Sequence, residues 1–422
     1  MNLNDMILLS TDDHLIEPPD TFEGHWPAQY KDQAPKLVLN KDTGLDEWIF
    51  QGVSVGTNGL GAVVSWPKQE WGFDPVGYSE MRPGVYNLHE KVRDMNVNGV
   101  LAATTFPTFP GFAGTHMANL PDKQLSLMGI QAVNDYILDE IVGSYPGRFM
   151  PLCILPYYDI DESVKEIHRI AKKGCVTVSI PETPYGLGMP DYASGYWDPI
   201  FKAINEHGIV ASLHIAGGFS LLQRPKNARP DDTITLAPLI SAITGTDLML
   251  SGVLRRFPDT KIAMSEGGLA WISGWLDRMD RHIINQAWTG LDTLPPGMTP
   301  TDVWRKNFLA CFITDKTALR LRDRIGVDTI SWECDYPHSD STWPYSPEVL
   351  LKELDGAGCT DEEIEKITWQ NVARFFNWDP FKHTPREQAT VGALRALSKD
   401  VDISETSKAE YRRRYEAANA SA

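Results

Sequence analysis

Ser10-Thr11-Asp12-Asp13-His14-Leu15-Ile16-Glu17 lies near the start of the chain, and Trp332-Glu333-Cys334-Asp335-Tyr336-Pro337-His338 lies far downstream. Each segment closes a β-rich run with residue types that bind metals. Side chains at i and i+2 of a strand share a face, so Asp12 and His14 can address one ion while Asp13 points away. A first and a last strand that both carry ligands become neighbours only if a sheet closes on itself. The pair of segments therefore predicts a metal site at the mouth of a barrel.

Outward from these segments, strand and helix patterns alternate through the chain. Apolar strand-like runs fall at Met6–Thr11, Gly99–Phe106, Arg148–Leu155, Val176–Ile180, Ile209–Ile215, Lys261–Ser265, Asn307–Ile313 and Thr329–Glu333. Helical periodicity fills the gaps, with Gly174 and Gly208 placed as helix stops. Eight strand-then-helix units with non-alternating strands predict the α/β class, a parallel (β/α)8 TIM barrel over residues 1–378. A Pro-, Gly- and Trp-rich insertion of about residues 18–85 after strand one reads as a lid. Residues 379–422, with Arg412-Arg413-Arg414, read as an exposed arm or oligomer contact, which makes a homodimer or higher homo-oligomer the expectation.

Composition narrows the function. A formal charge of −17 and a pI near 5.0 disfavour nucleic acid and anionic membrane as partners, because nothing offsets phosphate repulsion. The five cysteines are scattered without a C-x-x-C, so neither a disulfide framework nor a zinc knuckle is indicated. No apolar run approaches the length of a membrane span and no signal-peptide pattern opens the chain, which makes a cytoplasmic setting the expectation. No G-x-S-x-G elbow and no phosphate-loop pattern occurs, and no separate organic-cofactor site is indicated.

Chemistry in such barrels sits at the C-terminal ends of the strands. Reading that position off each strand collects Asp12, His14, Glu182, His214, Glu266 and Asp335 as candidate metal ligands, four carboxylates and two imidazoles. Glu182 sits between Pro181 and Pro184 and is equally readable as a loop residue. Glu266 precedes Gly267-Gly268, which permits close approach by backbone or ligand. Asp335, His338 and Glu17 are the candidates for proton transfer or orientation of water. Asp13, Glu333 and Cys334 are expected to point away or pack. Trp48, Trp66 and Trp71 in the insertion, and Phe106, Phe109 and Phe112 after strand two, are aromatic groups that either pack a lid or face a bulky, largely apolar small-molecule substrate. Among them Trp66, Trp71, Phe106 and Phe109 are the substrate candidates.

These residues give the chain a resemblance to the amidohydrolase superfamily, in its amidohydrolase-related branch with aminocarboxymuconate semialdehyde decarboxylase-like proteins. The resemblance spans roughly residues 6–378. It rests on Asp12-Asp13-His14-Leu15-Ile16-Glu17-Pro18-Pro19, Phe106-Pro107-Thr108-Phe109-Pro110-Gly111, Leu213-His214-Ile215, Ser265-Glu266-Gly267-Gly268, Cys334-Asp335-Tyr336-Pro337-His338 and Asn371-Val372-Ala373-Arg374-Phe375-Phe376. It implies Asp12, His14, His214 and Asp335 as metal ligands. Asp12 stands where the branch usually has His, and Glu266 where many relatives have His. The added carboxylates shift preference from Zn toward Fe or Mn, in one ion or two. A metal-dependent hydrolase or decarboxylase is the first functional expectation. The second, by resemblance to carboxylate-rich TIM-barrel relatives, is a non-haem di-iron monooxygenase acting on a hydrophobic, coenzyme A-tethered substrate. A binding barrel with a vestigial site is a third.

Overall fold

A computed structural model describes the chain except for residues 56–58, 60, 73, 218–224, 290–291 and 421–422. It divides into two compact units. One comprises residues 2–149, 334–348 and 380–422, and the other Met1, 150–333 and 349–379. We call them the outer-segment unit and the central unit.

In the outer-segment unit, β1 (Leu8–Leu15) is buried along its whole length. It therefore extends four residues beyond the apolar run, and Asp12 and His14 lie within the strand rather than after it. The hairpin-like insertion forms a separate antiparallel sheet of β2 (Lys36–Leu39), β3 (Asp46–Phe50) and β4 (Val53–Val55). β5 (Val100–Pro107) pairs parallel with β1 and is followed in the sheet by β6 (Phe149–Met150). The β1–β5 register shifts between Ser10 and Asp13. Thr11 and Asp12 thus stand opposite the single residue Thr104, a bulge of the kind that re-aims side chains near functional sites.

The end of β1 is held by residues from far downstream. The Asp335 N–H donates to the Asp12 carbonyl at 2.8 Å, and the His14 N–H donates to the Tyr336 carbonyl at 2.7 Å. The Cys334 N–H donates to the Ser10 hydroxyl at 2.8 Å. This is the juxtaposition of first and last strand ends that the two motifs predict.

The helix Leu88–Val97 starts where the Asn87 side chain accepts the Glu90 N–H at 3.1 Å, satisfying one of the free N–H groups of its first turn. It buries Lys91, Val92, Asp94, Met95 and Asn96. The C-terminal segment is not the exposed arm anticipated from its charge. Val391 and Leu394 are buried, and the Val391 N–H donates to the Met6 carbonyl at 2.8 Å. Arg395 pairs with Glu348 at 2.6 Å, and the Tyr411 and Ser65 hydroxyls meet at 2.6 Å. The Arg run faces water, but the apolar residues around it fold back onto the same unit, as burial of their surface favours.

The central unit carries one sheet of order β12-β11-β10-β9-β8-β7, parallel throughout. The strands are β7 (Leu152–Ile154), β8 (Thr177–Ser179), β9 (Val210–His214), β10 (Ile262–Ser265), β11 (Phe308–Phe312) and β12 (Ile330–Trp332). β6 and β7 are two parts of the single predicted third strand, separated by Pro151, which has no N–H for a ladder. The eight predicted strands are therefore all present, mostly shorter by a residue or two at their ends. Among the described residues no helix is long and apolar enough to cross a membrane.

Candidate metal centre

In the outer-segment unit, β1 and the turn after β12 present a compact donor group. His14 Nε2 lies 3.6 Å from Asp12 Oδ1 and 3.4 Å from Asp335 Oδ1. His338 Nδ1 lies 2.8 Å from the same Asp335 oxygen. Asp12, His14 and Asp335 are all but inaccessible, while His338 retains an exposed edge. Asp335 adopts φ +54°, a left-handed conformation that a non-glycine residue holds only at a cost of roughly 1–3 kcal/mol and that clusters at functional sites. Asp13 points the other way as expected: Oδ2 accepts from Lys91 Nζ at 2.9 Å and Oδ1 from the Ser10 hydroxyl at 2.9 Å. Burial pushes its carboxyl above the ordinary range, with the Lys91 ammonium pulling it down.

The central unit holds a second donor group. His214, the last residue of β9, places Nε2 3.3 Å from Glu266 Oε1. Glu182 and His214 line one small cavity with Ser241, Thr244 and Met264. Glu182 Oε2 accepts the Gly217 N–H at 2.8 Å. Glu266 also stands left-handed, at φ +56°. The glycine behind it is required: a Cβ on Gly267 would run into the Ser241 hydroxyl. Glu333, set aside in the sequence, is nearly fully buried and its Oε2 accepts the Glu266 N–H at 3.2 Å and the Cys311 thiol. It orients the Glu266 main chain. A carboxylate ending a buried apolar strand is the signal that could have marked it.

The donor types, carboxylate oxygen and imidazole nitrogen, are those that bind divalent cations. A family model described as amidohydrolase matches residues 87–378. The chain belongs to the amidohydrolase family. No curated protein sequence matches it. Solved amidohydrolase-fold structures do, at low identity. An amidohydrolase from Mycobacterium avium subsp. paratuberculosis K-10 has a TM-score of 0.65 and 20% identity, covering 88% of this chain and 99% of that one. A 5-carboxyvanillate decarboxylase from Novosphingobium aromaticivorans, complexed with manganese and 4-hydroxy-3-methoxy-5-nitrobenzoic acid, has a TM-score of 0.60 and 17% identity, covering 89% and 99%. A dihydroxybenzoic acid decarboxylase from Polaromonas sp. JS666, with bound manganese and 2-nitroresorcinol, has a TM-score of 0.57 and 16% identity, covering 88% and 96%. The amidohydrolase fold, a TIM barrel, is thus that of this chain, and the protein is an enzyme of that fold.

The remaining site candidates divide. Phe106 and Phe112 stand beside His14, with ring centroids 6.1 and 4.9 Å from the imidazole. Phe112 is the nearer, although Phe106 and Phe109 were the stronger candidates in the sequence. Phe109 instead packs against Phe22 and Trp48 at 5.6 and 5.0 Å, inside the insertion's own aromatic cluster. Trp66 is buried under the C-terminal segment, with its N–H on the Glu80 carbonyl at 3.0 Å and Lys408 over its ring at 4.4 Å. Trp71 lies at the surface, donating to the Trp66 carbonyl at 2.9 Å. The tryptophan roof is therefore corrected: Trp66 buries its indole against the C-terminal segment, and Trp71 stays at the surface.

The insertion reaches the donor group through smaller residues. The Val63 and Val64 N–H groups both donate to the Pro337 carbonyl at 3.1 Å. A Cβ on Gly61 would lie 3.1 Å from the His338 ring. Glu17 has a structural role that the sequence did not suggest. Its two oxygens accept the Thr108 and Phe109 N–H groups at 2.9 and 2.8 Å, and burial pushes its pKa up to about 7. These two hydrogen bonds anchor the turn after β5.

Proposed function

We propose that the chain is a metal-dependent carboxy-lyase that removes a carboxylate from a small, largely apolar aromatic acid. The observation that carries this reading is the group Asp12, His14, Asp335 and His338, in which Asp12 and Asp335 meet His14 Nε2, and His338 meets the same Asp335 oxygen, all within 3.6 Å. In this reading Asp12, His14 and Asp335 hold a divalent ion, and His214 and Glu266, which share the central unit with Glu182, are the candidate ligands of that unit. The oxygen-rich set favours Mn or Fe over Zn. When bound, such an ion supplies positive charge that polarises the substrate's oxygens and stabilises the negative charge developing as carbon dioxide leaves.

The protein's own groups do the rest. The carboxyl C–C bond breaks and its electron pair stays on the ring carbon. His338, oriented by Asp335 through Nδ1, delivers a proton from Nε2 to that carbon. Phe106 and Phe112 supply an apolar wall beside His14 that fits an aromatic ring and excludes water. The names of the manganese-bound neighbours, decarboxylases of hydroxylated benzoates, support this class. They do not favour the di-iron oxygenase.

Protein stripped with chelator and reloaded with Mn²⁺ is assayed for carbon dioxide release from a panel of mono- and dihydroxybenzoates. Release that falls at least 100-fold in His338→Asn, with Mn²⁺ still bound, is the expected result. Turnover that needs iron and consumes O₂, with no carbon dioxide released under nitrogen, would overturn the reading in favour of oxygenation. Asp335→Asn should lower Mn²⁺ affinity by roughly 100-fold, since a ligand loses its charge.

A further inference from the structure

Four buried charged residues of the outer-segment unit lie behind the donor group without belonging to it. Lys91 is fully buried; its ammonium donates to Asp13 at 2.9 Å and reaches the His14 carbonyl at 3.5 Å. It also sits 3.8 Å from the centre of the Tyr336 ring. One helical turn along, Asp94 accepts from Arg82 Nε and a terminal nitrogen, each at 2.7 Å, and from the Tyr336 hydroxyl at 2.6 Å. Arg82 continues to the Asp402 carbonyl at 2.9 Å and lies over the Trp343 ring at 4.3 Å. A Cβ on Gly84 would collide with the Asp94 carboxylate and come within 2.7 Å of the Tyr336 hydroxyl, so glycine leaves room for that hydrogen bond.

Two contacts of this network reach the main chain that carries the donors. Lys91 touches the peptide of His14. Tyr336 follows the left-handed Asp335, and its carbonyl accepts the His14 N–H. A left-handed carboxylate residue returns to ordinary backbone geometry unless its surroundings over-determine it. The two ion pairs balance in charge, which lets two anions and two cations stay buried together.

We propose that Lys91, Asp94 and Arg82 are positioning residues that brace the His14 and Asp335 main chain for metal binding, with Tyr336 as the rigid link and the C-terminal segment holding Arg82 through Asp402. The brace rests on the metal-site reading above for its purpose, but its mechanical part stands without metal. It gives the folded-back C-terminal segment a role in the site that its distance along the chain does not suggest.

The test has two arms on full-length protein. In the first, amide hydrogen exchange of metal-free protein is compared for the wild type, Tyr336→Phe and Gly84→Ala. The expected result is exchange at least tenfold faster in residues 10–17 and 334–338, with the β9–β10 peptides unchanged. In the second, Mn²⁺ binding is followed by the electron paramagnetic resonance signal of the free ion. Affinity should fall about 10–100-fold in Tyr336→Phe, as for other groups that orient metal ligands. Asp94→Asn, which keeps an acceptor for the Tyr336 hydroxyl, should lose less than Asp94→Ala. Glu363→Gln, which breaks the Arg322–Glu363 pair of the central unit, should bind Mn²⁺ as the wild type does. Unchanged exchange in Tyr336→Phe overturns the proposal whether or not Mn²⁺ binds. Faster exchange with wild-type Mn²⁺ affinity overturns the positioning role. Wild-type protein that binds no Mn²⁺ sinks the metal reading instead, while the exchange arm still decides the brace.

Discussion

Glu17 offers the most quantitative handle on this molecule. Its carboxylate is nearly inaccessible, takes N–H groups from Thr108 and Phe109, and has its pKa raised from an ordinary 4.5 to about 7 by burial. The two main-chain donors pull the other way without winning, because desolvation of a charge outweighs two neutral hydrogen bonds. A group that holds its proton more tightly when folded stabilises the fold on the acid side. The native state then binds more protons than the unfolded one between about pH 4.5 and 7, so stability falls as pH rises through that window. With those two values, linkage gives a loss on the order of 2–3 kcal/mol between pH 5 and pH 8 from this side chain alone. Glu17→Gln removes the titration. Its carboxamide can accept only one of the two N–H groups, a cost that does not depend on pH. Urea unfolding of both proteins at pH 5, 6, 7 and 8, followed by tryptophan fluorescence, separates the two effects. The variant should start less stable at pH 5 and close the gap by roughly 2–3 kcal/mol by pH 8. Parallel stability profiles would refute the buried, proton-retaining Glu17 and the anchoring role drawn from it.

Other perturbations test the remaining assignments. Trp66→Ala should cost about 3–5 kcal/mol of stability, as core truncations do, and should leave the substrate affinity of the folded protein unchanged; a weaker substrate Kd at full stability would restore the indole to the site. Gly61→Ala places a methyl 3.1 Å from the His338 ring at φ +72°, and should lower kcat severalfold with about 1 kcal/mol lost in stability and Mn²⁺ affinity retained. An unchanged kcat would mean that the insertion does not bear on His338.

Much of the site was legible because the relevant order is local. Asp12 and His14 are expected on one face by strand alternation, and their donor atoms lie 3.6 Å apart. His214 and Glu266 stand at the ends of apolar strand runs, and their donor atoms lie 3.3 Å apart. The eight strand-like runs define the α/β class because each is bounded by its own turn and cap residues. The Asp13–Lys91 pair also agrees with a reading in which Asp13 turns away.

What only the tertiary structure decided depends on contacts between residues far apart in sequence. Which aromatic groups face the donors is one such case: Phe112 stands by His14, whereas Phe109 packs within the insertion and Trp66 against the C-terminal segment. A long insertion rich in tryptophan and proline has no periodicity to say which face is inward. The C-terminal segment is another, since its charge pattern predicts exposure while Val391, Leu394 and Tyr411 supply the apolar area that folds it back. The left-handed Asp335 and Glu266, and the Lys91–Asp94–Tyr336 brace, leave no mark in local sequence. Lys91 and Asp94 look like ordinary charged helix residues, and only the helix's burial against Tyr336 turns solvated charges into a rigid support, because a buried charge must find its partner.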